Sequence, residues 1–198
     1  MLFRSGDSTG AELPLAGRTL DDAMAWATAR LGAPLSRPTY AMTEHPCGHG
    51  APFRPEPAAA FDELARWYDV AARALEGVAA REKGASEVRC WPHHFDLATL
   101  VTVAASADPE HARTIGVGLS PGDATYAEPY LYVTPWPYPA DREGVPALDG
   151  AGRWQREGWF GAVLTGGDLV AAGDGAQQAA RLEAFLASSL RACHAIVG

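Results

Sequence analysis

Trp91-Pro92-His93-His94-Phe95-Asp96 gathers an indole, two imidazoles and a carboxylate in six residues. A carboxylate beside an imidazole fixes its tautomer and raises its basicity, as in general bases and in the groups behind metal ligands. On a strand, His94 and Asp96 share one face and His93 points to the other. The plainer alternative is that His94 and Asp96 satisfy one another or local backbone at a strand start. A second set, Glu128, Tyr130, Tyr132 and Trp136, recurs at even spacing. Such an acidic and aromatic wall binds sugars by stacking or cations by ring electrostatics. Packing against the C-terminal helix is the other expectation for it.

His45-Pro46-Cys47-Gly48-His49 offers three potential metal ligands in five residues, with Glu44 beside them. Histidines at i and i+4 suit a zinc-binding helix, but Pro46 and Gly48 argue for a loop. A complete site would need further ligands, and His93 and His94 are the candidates. This gives a metal-dependent hydrolase reading, with a divalent metal on His45, Cys47, His49 and His94 and with Asp96 or Glu128 as base. A solvated loop of turns and caps is the alternative. Gly118-Leu119-Ser120-Pro121-Gly122 matches the Gly-x-Ser-x-Gly elbow of serine hydrolases. The elbow donates the N–H after the serine to the oxyanion, and Pro121 has none. The motif therefore reads as a turn, with Asp123 bonding local backbone. Neither a phosphate loop nor a dinucleotide fingerprint occurs.

The elements that position these residues follow from periodicity. Thr19 caps a helix carrying Leu20, Met24, Ala27 and Leu31 on one stripe, stopped by Gly32 and Pro34. Residues 38–44 read as a short strand and 45–57 as a loop. Phe61, Leu64, Tyr68, Ala71, Leu75 and Val78 repeat at helical steps. The period then changes. Residues 87–91, 95–104, 114–119, 130–136 and 158–164 read as strands, with a long loop at 137–153. A last helix spans about 176–196. Short connections favour antiparallel neighbours. The expected fold is α+β, an antiparallel sheet of five or six strands with helices on one face and a long C-terminal helix, in a single domain over 1–198 with a loose lead-in at 1–18.

Alternation divides the sheet into two faces. Leu97, Thr99, Val101, Ile115, Val117, Leu119, Leu131 and Val133 form the core face. His94, Asp96, Ala98, Leu100, Gly116, Gly118, Tyr130, Tyr132, Thr134 and Trp136 form the other. Tyrosines packed directly over Gly116 and Gly118 would close that face. Space left over the glycines would make a ligand pocket with His94, Asp96 and Glu128 converging on it.

Composition narrows the function. Sixteen basic and 24 acidic residues give a formal net charge of −8, which disfavours a phosphate-tracking surface for nucleic acid. With 47 % hydrophobic and 20 % charged residues, the chain can bury a core. No apolar run approaches the roughly 18 residues of a membrane span, and residues 1–10 lack a signal-peptide core. Three spaced cysteines, Cys47, Cys90 and Cys193, do not form a disulfide framework. Cys90 and Cys193 read as core residues. A cytoplasmic location is expected.

Phe95-Asp96-Leu97-Ala98, followed by Tyr130-Leu131-Tyr132 with Pro135 and Pro137, resembles an uncharacterised bacterial family, a domain of unknown function. In that family a Phe-Asp-Leu-Ala strand precedes a Tyr-x-Tyr-x-x-Pro-x-Pro strand, a hydrophobic strand and a closing helix. The likeness covers about residues 90–197. It implies a shared fold and a site containing Asp96, Tyr130 and Tyr132, and it names no reaction. The family has Gly-Ser where this chain has His93-His94, so the resemblance assigns the histidines no role. The leading expectation is small-molecule binding by His94, Asp96, Gly116, Gly118, Glu128, Tyr130, Tyr132 and Trp136. The metal-dependent hydrolase stands second. Third is a homo-oligomer using the aromatic face as its interface.

Overall fold

The computed structural model describes residues 11–37, 45–54, 58–149 and 152–198. The expected strand at 38–44 and Glu44 lie outside them. The chain forms two compact units, Met1–Phe61 and Asp62–Gly198.

The first unit holds α1 (Leu20–Leu31) and a single 3-10 turn at Pro46–His49. Thr19 and Asp22 cap α1 reciprocally, and Gly32 closes it in the left-handed conformation at φ +66°. No residue of α1 is buried, so its apolar stripe does not enter a core.

In the second unit, β1 (Arg89–Trp91), β2 (Asp96–Ala104), β3 (Arg113–Ser120), β4 (Tyr130–Trp136), β5 (Arg153–Gln155) and β6 (Gly161–Thr165) make one antiparallel sheet ordered β1-β2-β3-β4-β6-β5. α2 (Ala58–Arg81) begins at the unit boundary, while α3 (Gly166–Val170) and α4 (Gly175–Val197) follow β6. β5 begins at the last residue of the expected loop and runs into residues to which the sequence assigned no element. Three residues are too few to display alternation, and its pairing to β6 is a tertiary effect.

Register aligns the core rows. Leu97, Leu119, Leu131 and Leu164 lie side by side, as do Thr99, Val117, Val133 and Ala162. Ala71, Leu75 and Val78 of α2 and Leu182, Phe185, Leu186 and Cys193 of α4 close over them. Both helices therefore cover one face of the sheet. The expected inward stripe of α2 starts late: Phe61 is 56 % exposed, and Trp67 and Tyr68 pack at the core edge instead. Cys193 is buried, and burial pushes its thiol up to about 12. Cys90, expected in the core, is exposed because β1 is an edge strand. No helix among the described residues is long and apolar enough to cross a membrane.

The opposite face carries the row Ala98, Gly118, Tyr132 and Val163, flanked by Leu100, Gly116 and Thr134. The one β2–β3 irregularity lies between Thr102 and Ala104, so alternation holds from Asp96 to Thr102. Gly118 is required here. A Cβ on it would stand 2.6 Å from the ring and hydroxyl of Tyr132 and 2.9 Å from the Leu97 carbonyl oxygen.

Gly118→Ala should therefore destabilise the protein by about 1–3 kcal/mol in denaturant unfolding, since the Leu97 backbone cannot yield as a side chain can. Gly175→Ala, with open space around its Cβ, serves as control and should stay within about 0.5 kcal/mol of the parent. Equal behaviour of the two variants would contradict this packing.

Candidate functional site

A four-residue turn, Pro92–Phe95, joins β1 to β2 and closes at the Trp91–Asp96 pair. Its last residue, Phe95, has φ +61°, a left-handed conformation that costs a non-glycine residue roughly 1–2 kcal/mol. The Tyr68 hydroxyl donates to the Phe95 carbonyl at 2.6 Å and pins the turn to α2. Burial pushes the Tyr68 phenol up to about 12, so it remains a donor through the neutral range. The sequence presents Tyr68 only as part of an apolar stripe. Its bond to a residue 27 positions away is set by the packing of α2 on the sheet.

Asp96 opens β2 beside this turn. The Tyr132 ring crosses Gly118 and its hydroxyl donates to Asp96 Oδ2 at 2.9 Å. Asp96 Oδ1 is buried and accepts no hydrogen bond. Among the described side chains it shares that condition only with Ser189 Oγ. Burial raises the Asp96 carboxyl above its ordinary value, against the lowering effects of the Tyr132 hydroxyl, of His94 and of the Ser120 hydroxyl. Next to it, Tyr130 donates to Asp123 Oδ2 at 2.7 Å. Burial works upward at Asp123 too, but the Tyr130 hydroxyl and the N–H groups of Tyr126 and Thr125 outweigh it and hold this carboxyl below its usual range. The two acids thus sit in contrasting environments on one face. Tyr126, Tyr130 and Trp159 form a ring array, with centroids 4.9 and 6.2 Å apart, that continues from Tyr132 toward β5. The sequence presents Asp123 only as a turn residue bonding local backbone and Trp159 only as part of an expected strand at 158–164, and neither as a neighbour of the tyrosines, because the segments that deliver them lie outside the regular strands.

A cleft of about 330 Å³ opens on this face. Ala98, Leu100, Gly116 and Thr134 line it from the strands, and Asp96 and Tyr132 line one part together. The Thr134 hydroxyl donates to the Phe160 carbonyl at 2.7 Å, and its methyl lies toward Gly116, where a Cβ would stand 3.0 Å away. Trp91, His93 and His94 line the cleft from the hairpin. Strand alternation would have sent the two histidines to opposite faces. They lie in the turn, outside the pleat, and their rings sit 4.4 Å apart. Trp91 was legible in principle as the cross-strand partner of Asp96.

Of the expected site, His94, Asp96, Gly116 and Tyr132 meet at this cleft. Gly118 lies beneath the Tyr132 ring and offers no open space. Tyr130 is engaged with Asp123. Trp136 contacts Tyr138 edge-on and does not line the cleft. Glu128 does not join it either. It precedes β4, and its carboxylate accepts the Gly167 N–H at 2.6 Å at the start of α3.

His45, Cys47 and His49 belong to the first unit and His94 to the second. The His45 Nδ1 accepts the Cys47 N–H at 3.2 Å and caps the 3-10 turn. Among the described residues no group of three or more His, Cys, Asp or Glu side chains is placed to hold a metal ion. Ser120 is buried at the end of β3 with its Oγ accepting from the Gly122 N–H, and the chain beyond it turns instead of entering a helix. Asp123 accepts the N–H groups of Thr125 and Tyr126, as expected of a Ser-Pro-Gly-Asp turn.

A carboxyl raised in the folded state holds its proton more tightly folded than unfolded. Stability from that group is present below its ordinary value and is lost as pH rises through the folded one. Asp96→Asn keeps an acceptor for Tyr132 and abolishes this loss. The stability of the variant relative to the parent, from unfolding at several pH values, should therefore improve as pH rises from about 3 to about 7. A relative stability that is flat or that worsens would contradict the burial of an ionised Asp96.

Compared with protein-family models, with curated proteins and with solved structures, the chain matches none.

Proposed function

We propose that this protein binds a small molecule in the cleft on the face of its sheet opposite α2 and α4. The observation that carries the reading is an open, largely apolar cavity on whose lining Asp96, His94 and Tyr132 converge. The cavity lies at the small end of the roughly 300–1,000 Å³ typical of ligand sites. A mostly apolar lining with a few convergent polar groups is the usual composition of such sites. The likeness to the uncharacterised bacterial family supports placing Asp96 and Tyr132 in the same site.

A fragment library screened by NMR on methyl- and amide-labelled protein tests this. Hits should perturb the Leu100 and Ala98 methyls and the Trp91 indole, and Trp91→Ala, an exposed position, should weaken them without unfolding the protein. Hits confined to the groove between α2 and α4, lined by Val70, Ala74, Leu182 and Leu186, would overturn the proposal. So would perturbation of Trp91 and Leu100 by protein concentration alone, which would make this face a self-interface.

A further inference from the structure

Most polar groups on the cleft lining are already committed within the protein. Tyr132 donates to Asp96, the Thr134 hydroxyl to the Phe160 carbonyl, and the Thr99 hydroxyl to the Ser86 carbonyl at 2.8 Å. Ser86 takes both backbone groups of Leu100: its N–H donates to the Leu100 carbonyl at 2.9 Å and its Oγ accepts the Leu100 N–H at 3.1 Å. The Asp96 carboxylate is turned inward and held by the Tyr132 and Ser120 hydroxyls. Two exposed lining groups stand apart. His94 and the 51 % exposed Trp91 make no side-chain hydrogen bond to any described residue. An indole N–H can only donate, and a neutral imidazole donates from one nitrogen, so an acceptor is the one ligand group that both can serve. The surface beside them is bare. Gly116 has no side chain between its cross-strand neighbours Leu100 and Thr134. A flat ring fits such a floor and stacks on an indole.

Resting on the cleft-binding proposal, we infer that the ligand is a neutral aromatic compound bearing a carbonyl acceptor, its ring lying on Trp91 and Gly116 and its carbonyl accepting from His94. A sugar would bring many hydroxyls and find few partners for them. A cation would meet only the Asp96 carboxylate, which two hydroxyls already hold. An anion on His94 would face two carboxylates, since Asp96 and Asp123 both lie close enough for His94 to lower them. Among the described residues, no Lys or Arg lines the cleft to offset that repulsion.

The test uses four probes: benzamide, fluorobenzene, benzoate and cyclohexanecarboxamide. Each is titrated into the full chain at about pH 8, above the ordinary imidazole range, with chemical shifts as readout. Benzamide should bind about fivefold more tightly than fluorobenzene, the worth of one hydrogen bond. It should exceed the non-planar cyclohexanecarboxamide by at least about threefold and benzoate by at least about tenfold. His94→Phe keeps a ring and removes the N–H, so benzamide should fall to the affinity of fluorobenzene. The amide spectrum of the variant reports whether it is folded. Trp91→Ala provides a second route, weakening benzamide and fluorobenzene alike by at least about threefold and leaving their ratio in place. Benzamide no tighter than any of the other three probes, or an advantage over fluorobenzene that survives His94→Phe, would overturn the inference and leave the cleft proposal standing. Absence of any shift at Trp91, Ala98 and Leu100 with all four probes would overturn both.

Discussion

The hydrogen bond from the Tyr132 hydroxyl to Asp96 is the interaction around which the open face of the sheet is arranged. It spans three strands, from β4 across β3 to the start of β2. It can form only because Gly118 leaves no Cβ beneath the ring. That requirement fixes the register of the row Ala98, Gly118 and Tyr132, and it holds Asp96 where its second oxygen loses both water and donor. The strained Phe95 and the Tyr68 bond that restrains it serve the same end. They set the hairpin turn that delivers Asp96 together with Trp91, His93 and His94.

The two glycines of β3 do different work. Gly118 is filled by an aromatic ring, which makes a rigid wall. Gly116 is flanked by the Thr134 methyl and lines the cleft. One strand thus builds both the wall and the hollow next to it. The other face is ordinary core, where leucine and valine rows close beneath α2 and α4. Stability comes from that side. The open face instead carries features that are unfavourable to folding: a half-buried acid, a left-handed phenylalanine and exposed apolar side chains such as Trp91 and Leu100. Local penalties concentrated on one face are what binding sites in stable scaffolds present.

The sequence made the sheet and its faces legible because long strands display their period. β4 was bounded correctly, and β2 and β3 to within a residue or two. The cap Thr19 and the stop Gly32 were equally clear, since each acts locally. What escaped was set by tertiary structure or by turns. β5 is too short to show a pattern. Glu128 was placed by parity, but it lies outside β4 and is drawn off by the backbone of α3. The two histidines were separated by parity although they stand in a turn where parity does not apply. Tyr68 could not be told from a core residue, because only the docking of α2 on the sheet brings its hydroxyl to Phe95.

The coupling between Tyr132 and Asp96 is the quantity to measure first, by a double-mutant cycle of Tyr132→Phe and Asp96→Ala in denaturant unfolding at neutral pH. The cycle isolates the pair from the separate effects of each substitution. A coupling of about 1–2 kcal/mol is expected, at the lower end for a hydrogen bond to a charged acceptor because Asp96 is only partly buried. A coupling below about 0.3 kcal/mol would mean that the two residues act independently. The open face would then not be organised around their bond.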